Sequence, residues 1–196
     1  MPDADSLNGT GSPLGVYIVV PAAPGVSSAV GVLGENIIRF VDQPVLVETR
    51  SARYQAESLL HAQEGFNAYE GTDQREFTIE SKFFCQNDAD VVTNNQLLHV
   101  IRSLVMPDYN NTGAPPTPVK LYAYGDKNFH GIPCLVKAYT MNYPNDVDYA
   151  VSTDGKVTMP IVFTLSINLV EQHSINALRQ FSLSEFRKGE MVKQGF

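Results

Sequence analysis

The chain has 196 residues, of which 43% are hydrophobic and 18% charged, and its formal net charge is −7. This length and composition suffice for one domain with a buried core and exclude a largely disordered chain. The acidic balance argues against a protein that grips nucleic acid by its phosphates, which requires clustered Lys and Arg, but it would suit a wall past which DNA moves without sticking.

The N-terminal stretch is uncharged and interrupted by prolines. No charged residue occurs from Ser6 to Gly34, yet apolar runs such as Val16 to Val20 are too short to cross a bilayer. The first residues carry Asp3 and Asp5 rather than Lys or Arg, which argues against a secretory signal peptide. We expect residues 1–36 to form an extended arm with one short strand, lying on this subunit or a neighbour, and residues 37–196 to form the folded domain.

Alternation of apolar and polar residues predicts strands in the next part of the chain. The segment from Val45 to Arg50 starts apolar and alternates outward, whereas Gly65 to Gln74 is typical of a hairpin tip or long loop. From Phe77 to Cys85, apolar side chains occupy one face of the predicted strand, and the other face carries Glu80 and Lys82.

A helix follows this strand. Asp90 or Thr93 can cap its start and Pro107 stops it. Its apolar residues recur at three- and four-residue spacing and form one stripe that would cover a sheet face: Leu97, Leu98, Ile101, Leu104 and Val105. The loop from Asp108 to Pro118 is rich in Asn, Gly and Pro and is predicted to be irregular.

The strand from Ile132 to Tyr143 is unusual because both of its faces are apolar. One face carries Ile132, Cys134, Val136 and Ala138, and the other carries Leu135, Tyr139, Met141 and Tyr143. A strand that is apolar on both faces is covered on both, either by a helix of the same chain or by an adjacent subunit. Leu135, Tyr139, Met141 and Tyr143 are therefore candidate subunit-interface residues.

The last strand has the clearest pattern, with apolar residues at alternate positions from Val157 to Leu169. Pro160 lacks an amide donor and should lie near the start of this strand or at an edge. A C-terminal helix is predicted from Ser174, with a restart at Ser182, and the tail beyond Gly189 is expected to be frayed or held by a partner. The element order predicts a β-rich α+β fold, namely an antiparallel β-sandwich or barrel with one packed helix and a C-terminal helix.

No catalytic or metal-binding pattern stands out. The four histidines lack metal-ligand spacing, and Asp146 and Asp148 follow a turn-forming run, which favours surface aspartates over an acid–base pair. Cys85 and Cys134 form no CxxC pair and are interpreted as reduced, buried thiols; nothing nearby supports a cysteine–histidine nucleophile. We therefore expect a non-enzymatic protein without cofactor or metal.

An ordered set of elements from about Phe77 to His173 carries a family resemblance. The first element is the helix from Asn94 to Leu104, which is followed by Met106-Pro107. The second is the run Pro115-Pro116-Thr117-Pro118, which leads into Val119-Lys120-Leu121. A strand then reaches Tyr143-Pro144 and Val147-Asp148-Tyr149, and Met159-Pro160 opens a long strand that ends before Ser174. In this order, the elements resemble the tail-tube fold family of contractile phage tails, most closely its baseplate tube-initiator and tube-cap proteins.

The resemblance implies two antiparallel sheets, a flanking helix and a homo-hexameric ring in which strands of adjacent subunits line a channel. It implies contacts with the tail tube, the baseplate hub and the wedge or sheath-initiator proteins, in a virion assembled in the host cytoplasm. DNA would pass through the lumen without specific binding, and no membrane is involved. The segment from Gln43 to Arg53 could begin the long hairpin with which such proteins join their neighbours.

Two other functions stay open at this point, namely the major tube protein, which stacks many identical rings, and a free-standing β-sandwich binding module. Under the ring interpretation, Glu48, Arg50, Glu80 and Lys82 are candidate channel-lining residues, because we expect the polar faces of their two strands to correspond. The alternative places these charges on an outer, solvated surface or in a salt bridge between rings.

Overall fold

The computed structural model describes residues 15–20, 37–40, 42–57, 64–107 and 113–196. The strands are β1 (Val16–Val19), β2 (Ile37–Arg39), β3 (Val45–Thr49), β4 (Ala52–Glu57), β5 (Phe66–Thr72), β6 (Glu76–Phe84), β7 (Val119–Ala123), β8 (Phe129–Asn142), β9 (Tyr149–Val151), β10 (Thr158–Pro160) and β11 (Val162–Glu171). The helices are α1 (Asp88–Ser103), α2 (Ile175–Arg179) and α3 (Leu183–Lys188), and a 3₁₀ turn spans Val192–Gln194. The predicted β-rich α+β class is confirmed.

Seven strands form one antiparallel sheet in the order β2-β1-β7-β8-β11-β6-β3, and β9–β10 and β4–β5 form two-stranded sheets. Phe40 follows the edge strand β2, yet its ring lies 6.2 Å from the ring of Phe83 on β6, near the other edge. The sheet therefore curls around its apolar face. The predicted sandwich or barrel takes the form of this one curled sheet with two small additions.

The core is built by alternate residues of the two longest neighbouring strands. Phe77, Ile79 and Phe83 of β6 are buried, as are Phe163, Leu165, Ile167 and Leu169 of β11. This confirms the predicted faces. The predicted strand from Val157 to Leu169 is divided at Ile161, since Pro160 offers no amide and the amide and carbonyl of Ile161 bond instead to Asp148 and Cys85.

The helix α1 covers the apolar face of the sheet but begins earlier than predicted. Its N-cap is Asn87, whose side chain accepts from the Asp90 amide at 2.9 Å, while the Asp90 carboxylate accepts from the Asn87 amide at 3.3 Å. Asp90 is thus the third helical residue of a capping box and not the cap itself. Leu97, Leu98 and Ile101 are buried, as the predicted stripe requires.

The short strand within the predicted arm belongs to the sheet of this chain. β1 lies between β2 and β7, and Val16, Ile18 and Val20 are buried in the core. Of the two predicted positions for the arm, on its own subunit or on a neighbour, these residues therefore take the first. The rest of the arm, residues 1–14 and 21–36, lies outside the described residues, and the division at residue 36 stays a prediction.

The C-terminal residues return to the sheet. Ser174 and Ser182 cap α2 and α3 by accepting from the amides of Ala177 and Glu185, as predicted. Beyond α3 the tail is not frayed, because Met191 and Phe196 are buried and the 3₁₀ turn contacts β8. Gly195 has a φ of 84°, and a Cβ there would meet the Gly131 carbonyl oxygen at 3.0 Å, so only glycine permits this close approach.

Candidate assembly surfaces

The side of the sheet opposite the core, here called the outer sheet face, is polar along its middle. In register, Glu80 lies opposite Ser166, and Lys82 lies opposite Thr164. Directly paired residues of antiparallel strands point to the same side, so the two charges share this face with hydroxyl and amide groups. The members of the face on the three central strands are Glu76, Thr78, Glu80, Lys82, Phe84, Leu135, Ala138, Thr140, Asn142, Val162, Thr164, Ser166, Asn168 and Val170.

The four candidate channel residues do not share one face. The prediction that Glu48 and Arg50 of the β3 segment lie on the same face as Glu80 and Lys82 of β6 is wrong. Glu48 pairs with Phe77, which points into the core, so Glu48 lies on the core side at the sheet edge. There it accepts from Arg75 Nη1 at 3.3 Å. Arg50 follows the end of β3 and is exposed. The register of β3 places Val45, and not Glu48, beside Glu80.

A β-bulge explains why β8 is apolar on both faces. Val136 pairs with Leu169 and Ala138 with Asn168, so Lys137 is an extra residue in β8. Before the bulge, even-numbered residues point into the core, and after it odd-numbered residues do. Tyr139 and Met141 consequently pack against the core of their own chain. Their half-buried side chains are covered without a neighbour, and any part they take in a subunit interface stays a prediction.

The other two candidate interface residues lie apart from this pair. Leu135 lies opposite Val170 and is half-buried on the side away from the core. Tyr143 follows the end of β8, is 47% exposed, and accepts from Arg102 Nη2 at 3.3 Å. The structure therefore does not gather the four into one patch, and Leu135 and Tyr143 stay interface candidates.

The strands β4 and β5 form a hairpin that projects from the sheet. Every residue of β4 and most of β5 are exposed. Tyr54 and Tyr69 are each 61% exposed, and their rings lie 5.8 Å apart. The segment from Gly65 to Gln74, predicted as a hairpin tip or long loop, belongs to a hairpin, but most of it is the strand β5. A register shift after Arg53 inserts an extra residue into β5 and hides the alternation in the sequence.

Among the described residues, little outside the hairpin itself packs against its apolar side chains. A two-stranded hairpin alone is marginally stable in water at best. Its base is fixed, since the Asp73 amide donates to the Ser51 carbonyl at 2.8 Å and Arg53 pairs with Asp73 at 2.9 Å. Exposed aromatic side chains on a marginal element indicate a surface that a partner completes.

A buried polar cluster anchors the chain where it leaves this hairpin, and sequence reasoning missed it. Arg75 Nη2 lies 2.6 Å from Glu171 Oε1, and the two side chains are 8% and 6% exposed. Arg75 also contacts Glu48, and its guanidinium carbon lies 5.2 Å from the Phe77 ring centroid. His173 Nε2 lies 2.7 Å from the same Glu171 oxygen. This ion pair joins the start of β6 to the end of β11.

The sequence does contain a signal for this cluster. Glu171 follows at the same two-residue spacing as Phe163, Leu165, Ile167 and Leu169. This spacing predicts a carboxylate on the buried face of the strand. A charge at such a position needs a partner of opposite sign nearby. The partner, Arg75, could not be found without the pairing of β6 with β11.

The residues from Ser174 to Phe196, here called the C-terminal block, present a second apolar surface. Phe196 stacks on the His173 ring at 4.0 Å and contacts Phe181 at 5.2 Å, which seats the block on the sheet. Several of its large side chains remain more than a third exposed: Ile175, Leu178, Phe181, Leu183 and Phe186. A contiguous group of exposed apolar side chains is typical of a surface on which another protein packs.

The described residues contain no group of three or more His, Cys, Asp or Glu side chains that could hold a metal ion. Burial raises the pKa of Cys134 to about 12 and also raises that of Cys85, which disfavours the nucleophilic thiolate at both positions. Asp146 and Asp148 are exposed just before β9. None of the helices described here is both long and apolar enough to cross a membrane.

Comparison with known proteins gave matches among solved structures. No family model matches the chain, and no curated protein matches it. Among solved structures, the chain is similar to one from the tail of an empty GTA particle, computed with helical refinement and C6 symmetry. The identity is 12% and the TM-score 0.35, over 84% of this chain and 95% of that chain. A TM-score this low assigns neither fold nor function.

Proposed function

We propose that this chain is a non-catalytic structural subunit that forms a ring in the tube or baseplate of a phage-type tail. The observation that carries the proposal is the projecting hairpin β4–β5, which is exposed on both faces and bears Tyr54, Tyr69 and Phe66. An element of this kind is stable when a neighbouring subunit packs against it. In a ring, every hairpin finds such a neighbour.

The open edge of the sheet supports the same conclusion. β3 is an edge strand, and its Val45 and Val47 are 63% and 50% exposed. Unpaired edges that carry apolar residues invite pairing with another chain, and closure into a continuous barrel removes them. β3 leads directly into the hairpin, so one neighbour can cover both.

The outer sheet face suits the wall of a channel for DNA. It combines the hydroxyls and amides of Thr164, Ser166 and Asn168 with the charges of Glu76, Glu80 and Lys82. A wall without clustered cations gives phosphates no strong contacts, and the net charge of −7 disfavours binding further. Glu80 and Lys82 are the two candidate residues that we place in the lumen.

The finer assignment rests on the ordered motifs from Phe77 to His173. These favour a hexamer that acts as tube initiator at the hub end, between the tail tube and the baseplate, in a virion assembled in the host cytoplasm. The major tube protein is the competing assignment. A tube protein would polymerise into uniform stacked rings, whereas an initiator would stop at one ring with two different end surfaces.

Excision of the hairpin tests the proposal. Residues 52–72 are replaced by Asn-Gly, which forms a two-residue turn between Ser51 and Asp73, whose backbones already bond at 2.8 Å. We expect the variant to fold as a monomer and to lose ring formation, because the hairpin is exposed and contributes little to the core. Native mass spectrometry measures the assembly, and circular dichroism checks the fold.

A matched control is the double substitution by Ser of Val151, exposed in β9, and Lys156, exposed between β9 and β10. It removes comparable exposed groups at the other end of β11 and should leave ring formation unchanged. Rings of normal size from the excised variant would contradict the proposed role of the hairpin.

A further inference from the structure

Two exposed surfaces of this chain have complementary chemistry. On the hairpin, Glu57 and Phe66 are directly paired, so a carboxylate and a 47% exposed aromatic ring share one face. On α3, Leu183, Phe186 and Arg187 are spaced three and four residues apart, which places an exposed apolar pair beside a guanidinium. An apolar contact flanked by an ion pair would satisfy both surfaces.

The charges around the two surfaces have opposite sign. The described hairpin residues include three acidic side chains, Glu57, Glu64 and Glu70. The basic side chain among them, Arg53, forms an ion pair with Asp73. The C-terminal block carries four basic side chains, Arg179, Arg187, Lys188 and Lys193, against two acidic ones. A basic block on a chain with a net charge of −7 would attract the acidic hairpin of another copy.

The hairpin and the C-terminal block are attached to the same end of the sheet, on opposite sides of β11. The hairpin connects β3 to β6, and the chain next to its base is tied to the end of β11, where the Glu171 amide donates to the Arg75 carbonyl at 2.8 Å. The C-terminal block lies on the β8 side, where the Gln172 amide donates to the Pro133 carbonyl at 2.9 Å. In the sheet order, β11 separates β8 from β6.

We infer that in the ring proposed above, on which this inference rests, the Glu57–Phe66 face of one hairpin docks on α3 of the next copy. A closed ring with cyclic symmetry of more than two subunits requires two different surfaces on each subunit that meet head to tail. Surfaces on opposite sides of β11 meet this requirement. The docked contact covers Phe66, Leu183 and Phe186 and pairs Glu57 with Arg187.

Disulfide trapping tests this contact. Glu57→Cys and Arg187→Cys proteins are prepared separately, mixed and oxidised. We expect a disulfide-linked dimer in the mixture and not in either protein alone, and the double variant should give a ladder that ends at the ring size. Cys85 and Cys134 are 2% and 0% exposed, so the oxidant and the engineered thiols have little access to them, and each single variant oxidised alone reports any cross-link that they form. Lys156→Cys, exposed at the far end of β11, is the control partner for Glu57→Cys and should give no dimer.

A charge swap gives an independent readout. Glu57→Lys and Arg187→Glu should each weaken ring assembly at low salt by about tenfold, and the two together should restore most of it. If the wild-type protein forms rings but Glu57→Cys and Arg187→Cys do not cross-link, this docking is overturned while the proposed function stands. If the wild-type protein forms no ring and no cross-link appears, both are overturned.

Discussion

Replacement of Arg75 by Met should lower the free energy of unfolding by about 3–5 kcal/mol, the cost of removing one partner of a buried ion pair. Glu171 is 6% exposed and would lose the guanidinium that lies 2.6 Å from its carboxylate. The Glu171–His173 contact at 2.7 Å would remain but would not replace the lost bonds from Arg75. Urea unfolding of the protein, diluted until it is monomeric, measures the change without a contribution from assembly.

Two further variants distinguish the buried pair from ordinary surface charge. Lys137 pairs with Glu76 at 2.8 Å, but both side chains are more than half exposed, so Lys137→Met should cost about 0–1 kcal/mol. Arg75→Met combined with Glu171→Leu removes both charges and should recover most of the lost stability. An Arg75→Met protein as stable as the wild type would show that the pair does not hold the end of β11 to the start of β6.

Phe163→Ala is expected to cost about 3–5 kcal/mol, the usual range for truncation of a fully buried Phe. The Phe163 side chain is 1% exposed and its ring stacks on Phe83 with centroids 5.3 Å apart. β11 is paired along both of its edges, with β6 and β8, so the surrounding backbone cannot easily collapse into the cavity. The midpoint and slope of denaturant unfolding give the change in free energy.

The control for this variant is Val151→Ala, which truncates a side chain that is 56% exposed on β9. It should change the free energy of unfolding by at most about 0.5 kcal/mol. Equal stability losses for Phe163→Ala and Val151→Ala would show that the face of β11 has been assigned incorrectly.

The sequence predicts the core faces well because period-two alternation directly records which side chains are buried. Phe77, Ile79, Phe163 and Ile167 were found in this way and are all buried. The same reasoning failed after Lys137, because a bulge is a property of the pairing between β8 and β11 and leaves no mark on β8 alone. Tyr139 therefore looked like an outward residue although it packs against the core.

The candidate sites were harder to predict because they depend on register between distant segments. Glu48 and Glu80 look equivalent in sequence, but the pairing of β3 with β6 puts them on opposite sides of the sheet. Arg75 and Glu171 are 96 residues apart, and no local pattern links them. The start of a hairpin near Arg53 was predicted, but its two strands were not, because exposed strands lack a buried face and so give only weak alternation.

Cryo-electron microscopy of the assembled wild-type protein tests the central claim most directly. The account predicts a closed ring of six copies, with each hairpin packed against the next subunit and the outer sheet face, including Glu80 and Lys82, turned toward the axis. A monomer with solvent on all sides, a ring of three-fold symmetry, or a ring whose outer sheet face points away from the axis would contradict it.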